Sequence, residues 1–292
     1  MNLTNINTIK DLFARHGFAF TKSLGQNFLI NPSVCPKIAL GAEKSGVLEI
    51  GAGVGVLTRE LAKVSEKVVV IEIDETLKPI LAETLADYPN VEIIWADVLK
   101  TDLRGLIAEK FGGERISVCA NLPYYITSPV IMRLLEERLP LSSITVMVQK
   151  EAAVRLCAKP GTRNCGAVSV AVRYYSEPKK LFDVSRGSFM PAPNVDSAVI
   201  RLDVRVVGGL REGRAVPYAA NIDEKFFFKI VRASFSQRRK QLANPLSSEL
   251  GLQKEAVKTA LEAIGKKPTA RAEELTLEEF IGLYKNIKEI LK

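Results

Sequence analysis

The chain has 292 residues, of which 47% are hydrophobic and 25% are charged, so it can bury a large core and is neither disordered nor fibrous. Its apolar runs, such as Val68–Ile71, stop far short of the roughly 20 residues of a membrane-spanning helix, and no secretory signal begins the chain, so we expect a cytoplasmic protein. The net charge of +8 is concentrated in residues 151–250, with 17 basic and 9 acidic residues, which indicates either a surface that binds a polyanion or a solubilising surface.

From Val47 onward, short β-branched runs alternate with amphipathic stretches. This alternation predicts an α/β fold in which a Rossmann-like parallel sheet is joined by crossover helices. Two later segments rich in Val, Ile and Tyr are predicted to complete a seven-stranded sheet. The predicted strands are Val47–Ile50, Val68–Ile73, Val91–Trp95, Ile116–Ala120, Ile144–Gln149, Ala167–Tyr175 and Val195–Val207, and the predicted helices are Thr58–Val64, Glu75–Ala86, Thr101–Lys110, Ser128–Arg138 and Lys150–Ala158.

The segment Gly208–Arg214 combines three glycines with charged residues, which is typical of a linker. Beyond it, apolar residues recur at helical spacing without strand-like alternation, so the C-terminal part is predicted to be a small all-helical domain. We therefore predict a first domain at 1–208, a linker at 209–222 and a helical domain at 223–292. The predicted C-terminal helices are Glu224–Lys240, Lys254–Ile264 and Leu277–Leu291.

Cysteine and histidine usage narrows the possible chemistry. The four cysteines have irregular spacings and no CxxC pair, which indicates reduced thiols rather than disulfides or a zinc site. His16 is the only histidine in the sequence. Mechanisms that need a histidine base or a cluster of histidine metal ligands are therefore almost excluded. We expect no bound metal.

The first predicted strand ends in a glycine-rich turn, Gly51-Ala52-Gly53-Val54-Gly55, which leads directly into a helix. Such a turn lets a ligand approach the backbone beside a helix N-terminus. The next strand ends near Glu72, whose carboxylate can accept hydrogen bonds from both hydroxyls of a ribose. This pairing indicates a cofactor that contains adenosine, either NAD or S-adenosylmethionine, with a plain tight turn as the alternative.

The spacing of the glycines favours S-adenosylmethionine. Dinucleotide sites prefer GxGxxG, whereas the third glycine here comes one residue early. Asp97, just after the third strand, is placed to accept from an adenine amino group, although it is equally suited to cap a helix or turn. Two acidic residues suit a cofactor with a positive sulfonium and would repel a pyrophosphate.

The fourth strand is followed by Asn121-Leu122-Pro123-Tyr124. The fixed φ of Pro123, and the extended conformation that it favours at Leu122, direct a backbone carbonyl and the Asn121 side-chain oxygen to one point. Two acceptors there can turn the lone pair of an aromatic amine toward a methyl donor, and Tyr124 offers a face on which an extruded base can stack. The tetrapeptide resembles the motif of methyltransferases that modify exocyclic amines of bases.

Four further segments extend the resemblance: Lys22–Leu29, Val148–Gly161, Phe189–Ser197 and Phe235–Lys240. Together they resemble the small-subunit ribosomal RNA adenine dimethyltransferases, which dimethylate two adjacent adenosines near the 3′ end of the RNA. The resemblance spans roughly residues 20–292. It implies an S-adenosylmethionine methyltransferase fold at 1–208, S-adenosylmethionine as cofactor, and action of a monomer on ribosomal RNA within an immature 30S particle.

The resemblance also implies a role for individual residues. Asn27 and Leu29 would close over the cofactor, and Phe189 would be the second aromatic around the flipped base unless it is only a core residue. The implied cofactor contacts are Asn27, Leu29, Gly51, Gly53, Glu72, Asp97 and Asn121, and the implied catalytic residues are Asn121, Leu122, Pro123, Tyr124 and Phe189.

The helix that opens the C-terminal domain carries a basic edge for which we predict contact with RNA phosphates. A solvated helix end, favoured by the helix dipole, is the alternative, and the stretch around Arg155 is a second possible RNA surface. Two other functions stay open: a large-subunit ribosomal RNA methylase, and an assembly factor for which methylation is secondary. The residues of the predicted RNA-binding edge are Arg232, Arg238, Arg239 and Lys240.

Overall fold

The structure is a computed structural model that describes residues 1–20, 25–205, 222–237 and 240–291. These residues form two compact units. The first contains Met1–Ala153 and the segment that starts at Ser176, and the second contains Val154–Tyr175 and the C-terminal helices. The predicted linker lies almost entirely outside the described residues, so the domain boundaries at 208 and 223 stay a prediction. Within the described ranges, no helix is long and apolar enough to cross a membrane.

The first unit contains a seven-stranded sheet and a separate two-stranded one. In chain order, the strands are β1 (Phe28–Leu29), β2 (Val47–Ile50), β3 (Val68–Glu72), β4 (Val91–Trp95), β5 (Ile116–Asn121), β6 (Leu141–Gln149), β7 (Ser176–Val184), β8 (Phe189–Met190) and β9 (Ser197–Val204). β1 pairs with β8, and the others lie in the order β4-β3-β2-β5-β6-β9-β7. The first five of these are parallel, and β9 is antiparallel to both neighbours.

Seven helices precede, alternate with or directly follow the strands up to β6. The glycine turn leads into α3, and the Asn121–Tyr124 segment leads into α6. The first two helices were not predicted. They are α1 (Ile6–Arg15), α2 (Val34–Ala39), α3 (Val56–Val64), α4 (Lys78–Thr84, preceded by a 3₁₀ turn at Glu75–Leu77), α5 (Leu103–Phe111), α6 (Thr127–Glu136) and α7 (Lys150–Leu156).

The order of the parallel strands creates the crevice in which the predicted site residues meet. The chain runs from β2 outward to β3 and β4, then returns to the other side of β2 as β5. In open α/β sheets, ligands bind at the carboxyl ends of the strands where the order reverses in this way. Gly51 directly follows β2, Glu72 ends β3 and Asn121 ends β5, so the fold brings them to one edge.

The second unit is helical and has an aromatic centre. Tyr174 stacks on Phe227 at 5.3 Å between ring centroids, and Tyr175 stacks on Phe228 at 5.6 Å. Both tyrosine hydroxyls donate to the Glu224 carboxylate at 3.1 Å. The helices are α8 (Ala167–Tyr175), α9 (Glu224–Phe235), α10 (Ala243–Leu250), α11 (Lys254–Glu262) and α12 (Leu277–Ile290), with a 3₁₀ turn at Ala272–Glu274.

One predicted strand is wrong. Ala167–Tyr175 forms α8, and the seventh strand of the sheet is the next segment, Ser176–Val184. The run AVSVAVRYY is almost entirely apolar, so its periodicity cannot separate a buried helix from a buried strand. In the structure, the Val170 amide bonds the Gly166 carbonyl four residues earlier, at 3.2 Å, and the helix buries both tyrosines.

A carboxyl group lies at the centre of the first unit. Glu49, in β2, is fully buried, and among the described residues neither of its oxygens has a hydrogen-bond partner. The pKa of Glu49 is raised to about 8, mainly by the loss of hydration and to a smaller extent by the nearby charge of Glu72. All four cysteines are free thiols, as predicted, and burial raises the pKa of both Cys35 and Cys119.

We predict that Glu49 makes the protein less stable as the pH rises. An exposed glutamate has a pKa of about 4.3. Because the folded protein holds this proton more tightly, the stabilisation is complete below that value and is lost as the pH rises through about 8. Glu49→Gln keeps the shape and removes the titration, so its free energy of unfolding should fall less than that of the wild type between about pH 6 and about pH 9. Denaturant unfolding of both proteins at each pH measures this, and parallel pH profiles would contradict it.

Candidate functional site

A cavity of about 260 Å³ lies at the carboxyl edge of the sheet, within the first unit. It is lined by β1, β8 and the segments that follow β2, β3, β4 and β5. All the residues predicted for cofactor binding and catalysis line it. They are Asn27, Leu29, Gly51, Gly53, Glu72, Asp97, Asn121, Leu122, Pro123, Tyr124 and Phe189.

The charged side chains that line this cavity are all acidic. Glu72 and Asp97 supply two carboxylates, and no lysine, arginine or histidine occurs among the described residues that line the cavity. The rest of the lining is mostly apolar or backbone. Such a cavity favours a cationic ligand with an apolar body and disfavours a phosphate or pyrophosphate.

The turn after β2 leaves its backbone open to the cavity. Gly51 has φ +78°, a conformation that residues with a side chain rarely adopt. A Cβ built at Gly51 would meet no protein atom within 4 Å, so any side chain there would occupy the cavity instead of packing against the fold. At Gly53, with φ +57°, a Cβ would lie 3.3 Å from the Phe28 ring, which covers this part of the turn.

Glu72 is held rigidly at the end of β3. It is only 6% exposed. Its Oε1 accepts from the backbone amides of Ile73 and Asp74, both at 2.9 Å, and its Oε2 accepts from the Gly53 amide at 3.2 Å. Burial raises the pKa of the Glu72 carboxyl, and these three bonds offset part of the rise. A carboxylate has about four acceptor positions, so these three bonds leave one open for a ribose hydroxyl, fewer than the two that the sequence predicted. A second position opens only where the bond from Gly53, the longest of the three, is replaced.

Asp97 orders a turn and also lies at the cavity, so the two roles that the sequence left open are compatible. Its Oδ1 accepts from the Leu99 amide at 2.9 Å, and its Oδ2 lies 3.4 Å from Lys100 Nζ, so it orders the turn after β4. It also lines the cavity. Serving as a turn residue therefore does not remove it from the site.

The small β1–β8 sheet joins two segments that are distant in the sequence. Leu29 pairs with Phe189, and the Ile30 amide donates to the Ser188 carbonyl at 2.8 Å. Phe189 is only 4% exposed, so it is a core aromatic as well as a lining residue. The pairing holds the Asn27–Leu29 segment beside the cavity.

The Asn121–Tyr124 segment leaves β5 and forms a turn. The Asn121 Nδ2 reaches the Asn27 carbonyl at the limit of a hydrogen bond, 3.5 Å, and its Oδ1 accepts no hydrogen bond from the described residues. The Pro123 carbonyl accepts from the Ile126 amide at 3.2 Å, which places Tyr124 and Tyr125 at the two corners of the turn. Asn121 therefore keeps an acceptor available at the cavity.

A contact that the sequence did not predict fixes the Tyr124 ring. The Tyr124 hydroxyl and Ser197 Oγ are 2.8 Å apart, and Ser197 is fully buried at the start of β9. Partial burial raises the pKa of Tyr124, so its hydroxyl stays protonated. Phe28 and Tyr125 are further lining residues without a predicted role. Ser197 and Phe28 do lie in segments that carry the family resemblance, which was the available signal for them.

The predicted RNA-binding edge belongs to the second unit. Arg232, in the last turn of α9, and Lys240 are both exposed. Arg238 and Arg239 lie outside the described residues. In the ranges that the structure describes, no group of three or more His, Cys, Asp or Glu side chains could hold a metal ion.

Comparison with known proteins assigns the chain to a family. The protein-family model described as ribosomal RNA adenine dimethylase matches residues 17–289 of this chain. Two relatives, both called ribosomal RNA small subunit methyltransferase A, are 50% identical to this chain. The one from Geobacillus thermodenitrificans aligns over 282 residues, 94% of this chain and 93% of its own length. The one from Bacillus cytotoxicus aligns over 284 residues, 95% of this chain and 94% of its own length.

Solved structures agree with the fold. A dimethyladenosine transferase from Plasmodium falciparum superposes with a TM-score of 0.71 at 26% identity, covering 89% of this chain and 97% of that one. The 23S rRNA methyltransferase ErmE gives a TM-score of 0.68 at 27% identity, covering 90% and 100%. Because the family model matches nearly the whole chain and relatives at 50% identity align over nearly their whole length, the chain belongs to the ribosomal RNA adenine dimethylase family and is an rRNA adenine dimethyltransferase that uses S-adenosylmethionine.

Proposed function

We propose that this protein dimethylates the exocyclic amines of two adjacent adenosines near the 3′ end of small-subunit (16S) ribosomal RNA. It acts as a cytoplasmic monomer on an immature 30S particle. The observation that carries the proposal is a single cavity that combines an open glycine turn, a buried carboxylate and the Asn121–Tyr124 turn. The two relatives at 50% identity, both named for the small subunit, support the choice of RNA.

The residues present fit S-adenosylmethionine. The open space in front of Gly51 lets a ligand approach the backbone, because no side chain obstructs it. The cavity lining has two carboxylates and no basic side chain among the described residues, which suits a positively charged cofactor. We assign the ribose to Glu72, the adenine to Asp97 and the backbone approach to Gly51 and Gly53. When bound, S-adenosylmethionine supplies an electrophilic methyl group on a positively charged sulfur.

The protein contributes orientation and charge stabilisation. The Asn121 side-chain oxygen and the Leu122 carbonyl would accept hydrogen bonds from the adenine amine, which holds its lone pair away from the ring system. The same two oxygens would stabilise the positive charge that develops on the nitrogen. Because this charge makes the amine acidic, no strong base is needed. Tyr124, held by Ser197, and Phe189 would enclose the flipped base.

A large-subunit rRNA methylase is the second candidate. Its specific support is ErmE, whose TM-score is close to that of the dimethyladenosine transferase. The fold alone therefore does not choose between the two RNAs. The choice depends on the sequence relatives, which are 50% identical to this chain where ErmE is 27% identical.

We predict that Asn121→Ala lowers methyl transfer by about two to three orders of magnitude while the affinities for S-adenosylmethionine and for RNA change little. The reason is that Asn121 acts mainly on the charge of the transition state. Transfer of tritiated methyl groups to unmethylated small subunits measures kcat and KM separately.

Three outcomes make this experiment decisive. Wild-type enzyme given large subunits is the control for RNA choice, and transfer to them alone would overturn the assignment to the small subunit. A loss confined to KM in Asn121→Ala would contradict the role of Asn121. Wild-type protein that binds subunits without transferring a methyl group would favour the assembly-factor alternative.

We predict that Glu72→Ala weakens S-adenosylmethionine binding by about 10- to 100-fold, because hydrogen bonds to a charged acceptor contribute roughly 1.5–3 kcal/mol. Titration calorimetry measures the dissociation constant. The substitution also leaves three backbone amides without their acceptor, so thermal unfolding must be measured in parallel. Glu72→Gln keeps an oxygen acceptor and should show a smaller loss. Unchanged affinity in a folded alanine variant would remove Glu72 from the site.

We predict that alanine at Arg238, Arg239 and Lys240 weakens subunit binding and flattens its salt dependence. Each lost phosphate contact should reduce the slope of log affinity against log salt by roughly 0.9. Binding is measured at several salt concentrations, with S-adenosylmethionine affinity as the check on folding.

The matched control is the variant with alanine at Lys254, Lys267 and Lys285. These three lysines are exposed, and their substitution removes the same charge from the same unit. Its salt slope should stay close to that of the wild type. If both triple variants change the slope equally, net charge rather than the predicted RNA-binding edge is responsible. If neither changes it, the RNA surface lies elsewhere, and the stretch around Arg155 is the next to test.

A further inference from the structure

We propose that Tyr125 is a second base-stacking platform, which holds the unmethylated neighbour of the target adenine outside the cavity. This inference rests on the proposed function, because that function requires two adjacent adenosines. It adds a substrate-binding residue to Tyr124 and Phe189 and accounts for the treatment of the second base.

The first support is the turn itself. The Ile126 amide bonds the Pro123 carbonyl, so Tyr124 and Tyr125 are its two corner residues. Tyr124 is half-buried and tied to Ser197. Tyr125 is 59% exposed and still lines the cavity. One corner thus faces the interior of the site and the other its mouth.

The second argument concerns how the Tyr125 ring packs. A Cβ at Gly25 would lie 3.6 Å from both Cδ1 and Cε1 of Tyr125, so the ring rests beside a residue that has no side chain. Among the described residues, Tyr125 makes no hydrogen bond and no aromatic contact. A large ring that is supported on one side and otherwise exposed to solvent at a binding site is suited to stack on a partner ring.

The third support comes from the substrate. When one adenosine enters the cavity, the phosphodiester link keeps its neighbour within one nucleotide of the mouth. Because flipping the target adenine removes it from the base stack, the neighbouring base loses a stacking partner and exposes an apolar face to water. Stacking on an aromatic side chain tolerates any base, and purines offer the larger face. The ring of Tyr125 is the exposed aromatic group at this mouth in the described part of the chain.

The test uses small subunits whose RNA carries a ligated synthetic 3′ segment. One substrate has adenosine beside the target, and the other has an abasic nucleotide there. For the wild type, KM for methylation of the target should rise about tenfold on the abasic substrate, with kcat little changed. Tyr125→Ala should show this higher KM on both substrates, because the partner ring is already lost. Tyr125→Phe should behave as the wild type.

The outcomes separate the two proposals. If the wild type does not methylate intact subunits, the proposed function fails and this inference fails with it. If the wild type methylates both substrates with equal KM, the proposed function stands and the stacking role is wrong, with no variant needed. If Tyr125→Ala raises KM by a further factor on the abasic substrate, the residue acts on something other than the neighbouring base. Tyr125→Leu, which keeps apolar bulk without an aromatic face, replaces the alanine variant if that one does not fold.

Discussion

The site depends on one buried carboxylate that joins two loops. Glu72 ends β3, and its oxygens accept backbone amides from its own strand end and from Gly53 in the turn after β2. This arrangement fixes the distance between the glycine turn and the place where a ribose would bind. It also stores negative charge in an apolar cavity, where the charge is poorly screened. The group that would bind the cofactor is therefore the one that shapes its binding site.

The strand order extends this constraint to catalysis. Because β5 returns to the free side of β2, the Asn121–Tyr124 turn lies on the opposite side of the glycine turn from Glu72 and Asp97. A ligand held by the carboxylates must then pass over the open backbone at Gly51 to reach Asn121. A cofactor with its nucleoside at one end and its reactive group at the other matches this layout. If the cofactor binds as proposed, this strand order places its reactive end rather than its nucleoside at Asn121.

Local patterns predicted most of the sheet, and the residues that they nominated for the site line one cavity, while the roles of those residues stay predictions. The strands Val47–Ile50 and Val91–Trp95 were predicted to the residue, since apolar runs bounded by turn residues mark buried strands. Ala167–Tyr175 was wrong, because an apolar run of that length fits a buried helix equally well. The contact between Tyr124 and Ser197 could not be predicted, because it joins residues far apart in the sequence and depends on β9 lying beside β6.

The same turn shows why adjacent residues can take different roles. Pro123 fixes the chain direction, and the bond from Ile126 to its carbonyl places two tyrosines at successive corners. Burial then separates them, because Ser197 holds one hydroxyl inside while the other ring lies over Gly25. The proposed methylation of two neighbouring bases requires that one base is kept out of the cavity while the other is held. Two aromatic corners on one short turn would meet that requirement without a further domain.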